Sequence, residues 1–388
     1  MYVDAEGTAT GERRYCEYGR WSVPVVNVGR RSSSETLLRR RWDLFFLLST
    51  AICMMAQSSD DRYPVVRNGK VGFIDFRGNE VIAPQFFPLA DMAHFRDDLA
   101  PVVAPDGAGY IDATGRFVIG PNRGWGQPTQ FHEGIASVVV WGEGGAPNTP
   151  AFIDRTGRIV LSGEVQAYFA EGLMPLSDTR RWGFVDQSFH WVIPPKYEVA
   201  EEFSDGLAPV QIDGKWGYID KAGDEIVPPK YDLAWPFSDG LGRVQIDIAT
   251  GEKHATMEGP RSVYRHQLGF VDSNGKEVIH PQFESATNFQ QDRAFVMLPG
   301  SRRLGMIDKL GNIVHEPEYE QTGEFHEDLA VACLNGKWGY VDTGGGWIIA
   351  PQFSGGGDFW RGLARVAWRG GYGYIDRRGT VVWKTTTK

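Results

Sequence analysis

The sequence predicts an all-β chain laid out as a tandem array of about nine three-stranded antiparallel β-meanders, each about 34 residues long. Three observations carry this. A Gly-centred pentapeptide ending in aliphatic-Asp recurs nine times, from "VGFID" at Val71 through "AGYID", "PAFID", "WGFVD", "WGYID", "LGFVD", "LGMID" and "WGYVD" to "YGYID" at Tyr372. Most neighbouring copies start 32 to 37 residues apart, the mark of a repeat architecture. Finally, 48 Gly and 22 Pro in 388 residues suit short strands and tight turns, not long helices.

The chain begins differently. "TLLRRRWDLFFLLSTAICMMAQ" sets three arginines before an uncharged apolar run from Leu44 to Ala56, the outline of a secretory signal peptide. Thirteen residues at about 1.5 Å each fall short of a hydrocarbon core of about 30 Å, so no transmembrane segment is expected in the mature chain. Residues 1–56 therefore read as an N-terminal extension with a signal peptide, cleaved near Ala56, and 57–388 as the repeat array. Losing eight arginines and six acidic residues leaves 32 basic and 43 acidic side chains, net −11. Such a surface repels phosphate backbones, which argues against nucleic acid. Cys333 is then the lone cysteine, expected as a small buried side chain.

Each unit follows from its turns. Before the pentapeptide, "VVRNGKVGF", "VQIDGKWGY" and "ACLNGKWGY" put Asn-Gly or Asp-Gly between alternating apolar residues, a hairpin signal because both turn residues accept positive φ. After it, Asp-x-x-Gly makes a second hairpin, its Asp accepting from turn amides. The third strand runs into "VIAPQF", "VIPPKY" or "VIHPQF", where proline ends the ladder. Tyr197, Ala200 and Phe203, and again Tyr231, Ala234 and Phe237, recur three apart, which predicts a one-turn helical connector before "FSDGLAPV".

The columns of the repeat separate building from binding. Trp216 aligns with Val71, Ala108, Pro150, Trp182, Leu268, Leu304, Trp338 and Tyr372, all apolar and so core. An Asp closes all nine pentapeptides, Asp75 to Asp376, and nine identical carboxylates are turn caps. Another column holds Glu80, Phe117, Ile159, Trp191, Glu225, Glu277, Ile313, Trp347 and Val381. A place that accepts both Glu and Trp faces solvent, so Trp191 and Trp347 are candidate binding aromatics. Trp125 and Trp360 join them. Three segments depart from the period, 120–130, 142–150 and 248–267, and insertions of this kind often form a contact surface.

"KWGYID" with a trailing "GLAxV" resembles the WG-repeat, or KWG-repeat, family over about residues 63 to 384, and "GKWGYID" and "GKWGYVD" stand whole at Gly214 and Gly336. In the first three copies and those at Leu268 and Leu304 the Trp is missing and the spacing carries the likeness. The resemblance implies a bacterial, β-rich, frequently exported protein with no shared catalytic residues to carry over.

The array enters on "YPVV" and leaves on "TVVW", cut between units, with no strand left over to complete the first. That predicts an open or superhelical solenoid, with a closed propeller-like ring as the alternative. Enzyme motifs and paired cysteines are missing, and His315-Glu316 and His326-Glu327 occupy variable surface columns, so neither catalysis, metal nor cofactor is expected. The functional expectation is a non-catalytic, periplasmic or extracellular scaffold that docks another envelope or extracellular protein. The alternative is a carbohydrate or cell-wall module using Trp125, Trp191, Trp347 and Trp360, since indoles offer flat apolar faces to sugar rings.

Overall fold

The computed structural model describes residues 61–89, 94–142, 147–163, 167–256 and 259–385, with side chains from 253 to 262 left aside. The leader, its cleavage site, Cys16 and Cys53 lie outside the described residues. What is described is all-β: nine small antiparallel sheets in chain order, six of four strands and three of three.

The fifth sheet shows how the sequence builds one. Leu207–Ile212 and Lys215–Asp220 pair in strict register around Asp213-Gly214, both at positive φ. Glu225–Tyr231 then pairs back on Lys215–Asp220 after the Asp-x-x-Gly turn. There Asp220 Oδ1 accepts from the Ala222 and Asp224 amides at 2.9 and 3.0 Å, and the same pair of bonds recurs at all nine aspartates. Turn capping thus accounts for that column.

The glycine of Trp-Gly has a separate cause. Trp216 pairs with Tyr231 and Tyr218 with Val227, so one strand advances four residues while its neighbour advances two. The surplus bulges at Pro228-Pro229, and its backbone passes over Gly217. A Cβ there would meet the Val227 carbonyl and sit 2.8 Å from the Pro229 nitrogen. Only glycine tolerates that crossing.

The expected helical connector does not form, and the described residues contain no helix. Val199–Ala200 instead joins the sheet as a short edge strand on Leu207–Ile212, and Asp205-Gly206 turns the chain with both φ positive. Tyr197, Ala200 and Phe203 are all buried. Their spacing of three reflects a strand end, a short strand and a turn that each point one side chain into the same core. Six of the units are therefore four-stranded.

The hydrophobic residues fall into nine clusters, and each lies between two successive sheets. One, for example, joins Trp216, Tyr218 and Tyr231 of the fifth sheet to Phe237, Val244 and Val271 of the sixth. The ninth cluster corrects the expectation of an open array, because it joins Tyr63, Val65 and Ile74 of the first sheet to Leu363 and Tyr374 of the last. The array closes into a nine-bladed propeller ring. A leftover strand is not needed, since every joint is made by sheet faces and the last joint repeats the pattern of the others. Asp61 pairs with Arg361 across it, and the glycine of the first Asp-x-x-Gly turn, Gly78, lies against Val382 as Gly223 lies against Ile193.

A second device links neighbours. In most connector turns the first residue is an acid that reaches to the next turn's backbone: Glu133 accepts from Gly172 N at 2.9 Å, Asp205 from Gly240 N at 2.8 Å, and Glu327 from Gly362 N at 2.9 Å, while Gln291 does so as an amide and Arg361 instead pairs with Asp61. These carboxylates act as clasps between blades. Cys333 is buried, and its burial raises the thiol pKa.

Candidate functional site

Two of the three irregular segments meet on one surface. The chain after Ile119 carries Trp125-Gly126 as the first strand of the third blade, paired with Val140 and Val139. Asn122 Oδ1 holds the Gly124 amide at 2.8 Å, and the Gly124 carbonyl accepts from Trp141 N at 2.8 Å. Because Gly126 has no side chain, the Trp141 indole lies directly on its backbone. The two indoles thereby take different roles. Trp125 is 8% exposed and packs in the core between the second and third blades, whereas Trp141 is 41% exposed.

Between these blades opens a cleft of about 1240 Å³, walled by Trp125, Trp141, Gln127, Gln130 and His132 on one side and by Pro101 and Val103 on the other. The Gln127 and Gln130 amides make no side-chain hydrogen bond among the described residues. His132 stacks on Tyr168 with ring centroids 4.4 Å apart and stands 3.4 Å from the Arg96 guanidinium. Burial, followed by the charge of Arg96, lowers its pKa and keeps it neutral.

A second pocket of about 320 Å³ adjoins the first at His94 and Gln130 and runs to the seam between the last blade and the first, where Tyr63 and Tyr374 line it. Trp360 forms one wall, 43% exposed, with His94 edge-on at 6.3 Å and the Arg361 guanidinium 5.5 Å from its ring centre. Asp358 lines it, 3.8 Å from His326, and burial raises its carboxyl pKa.

Of the four tryptophans expected to bind, the structure brings Trp125 and Trp360 to this joined pair of clefts. Trp191, 41% exposed on the fourth blade, and Trp347, half-buried edge-on against Tyr319 on the eighth, stand apart from it and from each other. The column that holds them does face solvent, being exposed or half-exposed in all nine copies. Sequence reasoning passed over Trp141; its signal was an indole bordering the inserted 142–150 segment. The third irregular segment is a long hairpin, Leu241–Thr256 with Gly259–Asp272, on the sixth blade. At its base His266 Nδ1 and Asp247 Oδ1 are 2.7 Å apart, and Gln245 donates to the same oxygen at 2.7 Å.

Fold and joints define a closed ring of nine short antiparallel blades with a cleft of about 1240 Å³ between two irregular neighbours. The model of the WG containing repeat matches residues 182–216, 216–247, 269–298, 305–338 and 338–367, so residues 182–367 carry five tandem WG repeats. No curated protein matches the chain. Among solved structures, one described as a crystal structure of the eukaryotic initiation factor is similar with a TM-score of 0.59 at 10% identity, over 84% of this chain and 96% of that one. BamB from Moraxella catarrhalis is similar with a TM-score of 0.31 at 12% identity, over 78% of this chain and 88% of that one. At such identities the first likeness shows the fold alone.

Proposed function

We propose that the chain is a non-catalytic, exported binding protein that holds cell-wall carbohydrate in the cleft between its second and third blades. The observation that carries this reading is the exposed face of Trp141 beside the Gln127 and Gln130 amides, unpartnered among the described residues, in a concavity of about 1240 Å³. Sugars present apolar ring faces edged by hydroxyls. A flat indole flanked by groups that both donate and accept is their complement. The carboxylates of the repeat support a non-catalytic role, because the nine turn aspartates cap backbone amides and the connector acids clasp neighbouring blades.

The test is co-sedimentation of the full chain with insoluble wall polysaccharide. Trp141→Ala should abolish pelleting while Trp191→Ala leaves it intact. Equal pelleting of both variants, or none by the wild type, would overturn the reading.

A second reading, a scaffold for another envelope protein, is favoured by the long hairpin of the sixth blade, where Ile248 and Tyr264 are 45% and 51% exposed. Large apolar side chains held out on a projecting ribbon are interface material. Loss of a defined partner from a variant in which that hairpin is cut back to a two-residue turn would distinguish it.

A further inference from the structure

We infer that the pocket at the ring seam binds the carboxylate of an acidic sugar residue, with the sugar ring laid on Trp360. The inference deepens the carbohydrate reading above and rests on it.

Charge is the first argument. The protein is acidic, net −9, and most of its arginines and lysines near the ring joints are paired or bonded to carbonyls. Arg96 and Arg365 are exceptions that line the same pocket of about 320 Å³. Among the described residues neither has a carboxylate partner. Arg96 stands against the His132 ring, and Arg365 is stacked over Tyr372 with its guanidinium 4.1 Å from the ring centre. Stacking fixes the guanidinium plane, and its edge N–H groups make no hydrogen bond among the described residues, an arrangement ready to receive a planar carboxylate.

The remaining lining specifies what the carboxylate is attached to. Trp360 offers a broad exposed face, the usual partner for the apolar side of a pyranose ring. His94 Nδ1 is buried and has no hydrogen-bond partner among the described residues. Burial, followed by the nearby Arg365 charge, lowers the His94 pKa, so the ring is neutral. A neutral imidazole nitrogen either donates or accepts according to tautomer, and a sugar hydroxyl satisfies both cases. The Gln130 amide and the Asp358 carboxyl add two more partners for hydroxyls. A simple anion would leave Trp360, His94 and Gln130 without work, and a neutral sugar would leave both arginines so. A volume near the low end of ligand pockets, roughly 300–1,000 Å³, fits one ring, with the adjoining cleft receiving the rest of the chain.

Calorimetric titration of the full chain with trigalacturonate, β-1,4-galactotriose and sodium acetate tests this. Trigalacturonate should bind about tenfold more tightly than the neutral trimer, the size of one charge-assisted bond. Arg365→Gln should bring the acidic trimer down to the affinity of the neutral one, and Trp360→Ala should weaken both trimers. Equal affinities for the two trimers, unchanged by Arg365→Gln, would overturn the inference and leave the carbohydrate reading standing. Acetate competing as well as the acidic trimer would overturn it too, making the pocket a general anion site. If neither trimer binds and wall material does not pellet the chain, both readings fall.

Discussion

The Tyr374 hydroxyl donates to the Pro64 carbonyl at 2.8 Å, across 310 residues of sequence. Tyr218, at the same place in the fifth blade, sets its hydroxyl between two carbonyls of the sixth, Trp235 at 2.8 Å and Arg243, the counterpart of Pro64, at 3.0 Å. Ring closure therefore uses the fastening that joins neighbours within the ring. Each tyrosine is buried, and burial pushes both phenols well above their ordinary range, so both remain donors at any working pH.

Equivalence of the two joints is measurable. Tyr374→Phe and Tyr218→Phe should each cost about 1 kcal/mol, the loss of one buried hydrogen bond. Urea unfolding reads this as a lower midpoint at constant slope. A cost at Tyr218 with none at Tyr374 would mean that the first and last blades stand apart in solution.

The Trp-Gly pair supplies a sharper contrast. Gly217→Ala places a methyl group in the backbone of the Val227–Pro229 bulge and should cost about 3 kcal/mol. The third blade is the internal control. It has Ala151 where other blades have glycine, and its following strand runs "IVLS" without a proline bulge. Ala151→Gly should cost about 1–2 kcal/mol, through backbone entropy and the loss of one buried methyl group from the core. Comparable losses at the two sites would refute the crossing-strand explanation.

Much of this was legible because turn chemistry is local. Asn-Gly, Asp-Gly and Asp-x-x-Gly state their own geometry, and the nine aspartates behave as their spacing implied. Two features were not. The Tyr-x-x-Ala-x-x-Phe spacing looks helical because a strand end, a two-residue strand and a turn also place one buried side chain every three residues. Closure depends on whether faces 310 residues apart meet, and no local pattern encodes that. Site residues were half legible: irregular segments pointed to the cleft, yet Trp141 emerged only once Gly126 was seen to lie beneath it. Arg96 and Arg365 are ordinary surface residues until the ring brings them to one pocket.

Removing a turn cap tests the reading of the Asp column directly. Asp220→Ala frees the Ala222 and Asp224 amides, which are at the surface and take up water, so the cost should be about 1 kcal/mol. Binding of any ligand should not change. A loss of binding with stability intact would move that carboxylate from folding to function.

Glu201 makes the stability of the ring depend on pH in an identifiable window. Burial, with the Glu202 charge second, pushes its carboxyl up to about 7 from an ordinary 4.5. The folded state therefore holds this proton more tightly than the unfolded chain, and stability falls as pH rises from about 4.5 through about 7. Glu277 acts in the opposite sense and elsewhere: bonds from Tyr231, Lys230 and His280 hold it down to about 2, so its contribution is present above 4.5 and lost only as pH falls toward 2. The two windows do not overlap. Glu201→Gln should accordingly be more stable than the wild type at pH 8 by a margin that shrinks steadily toward pH 5, as read by urea midpoints across that range. Parallel profiles for the two proteins would show that Glu201 is ionised in the folded ring, with its burial relieved by water.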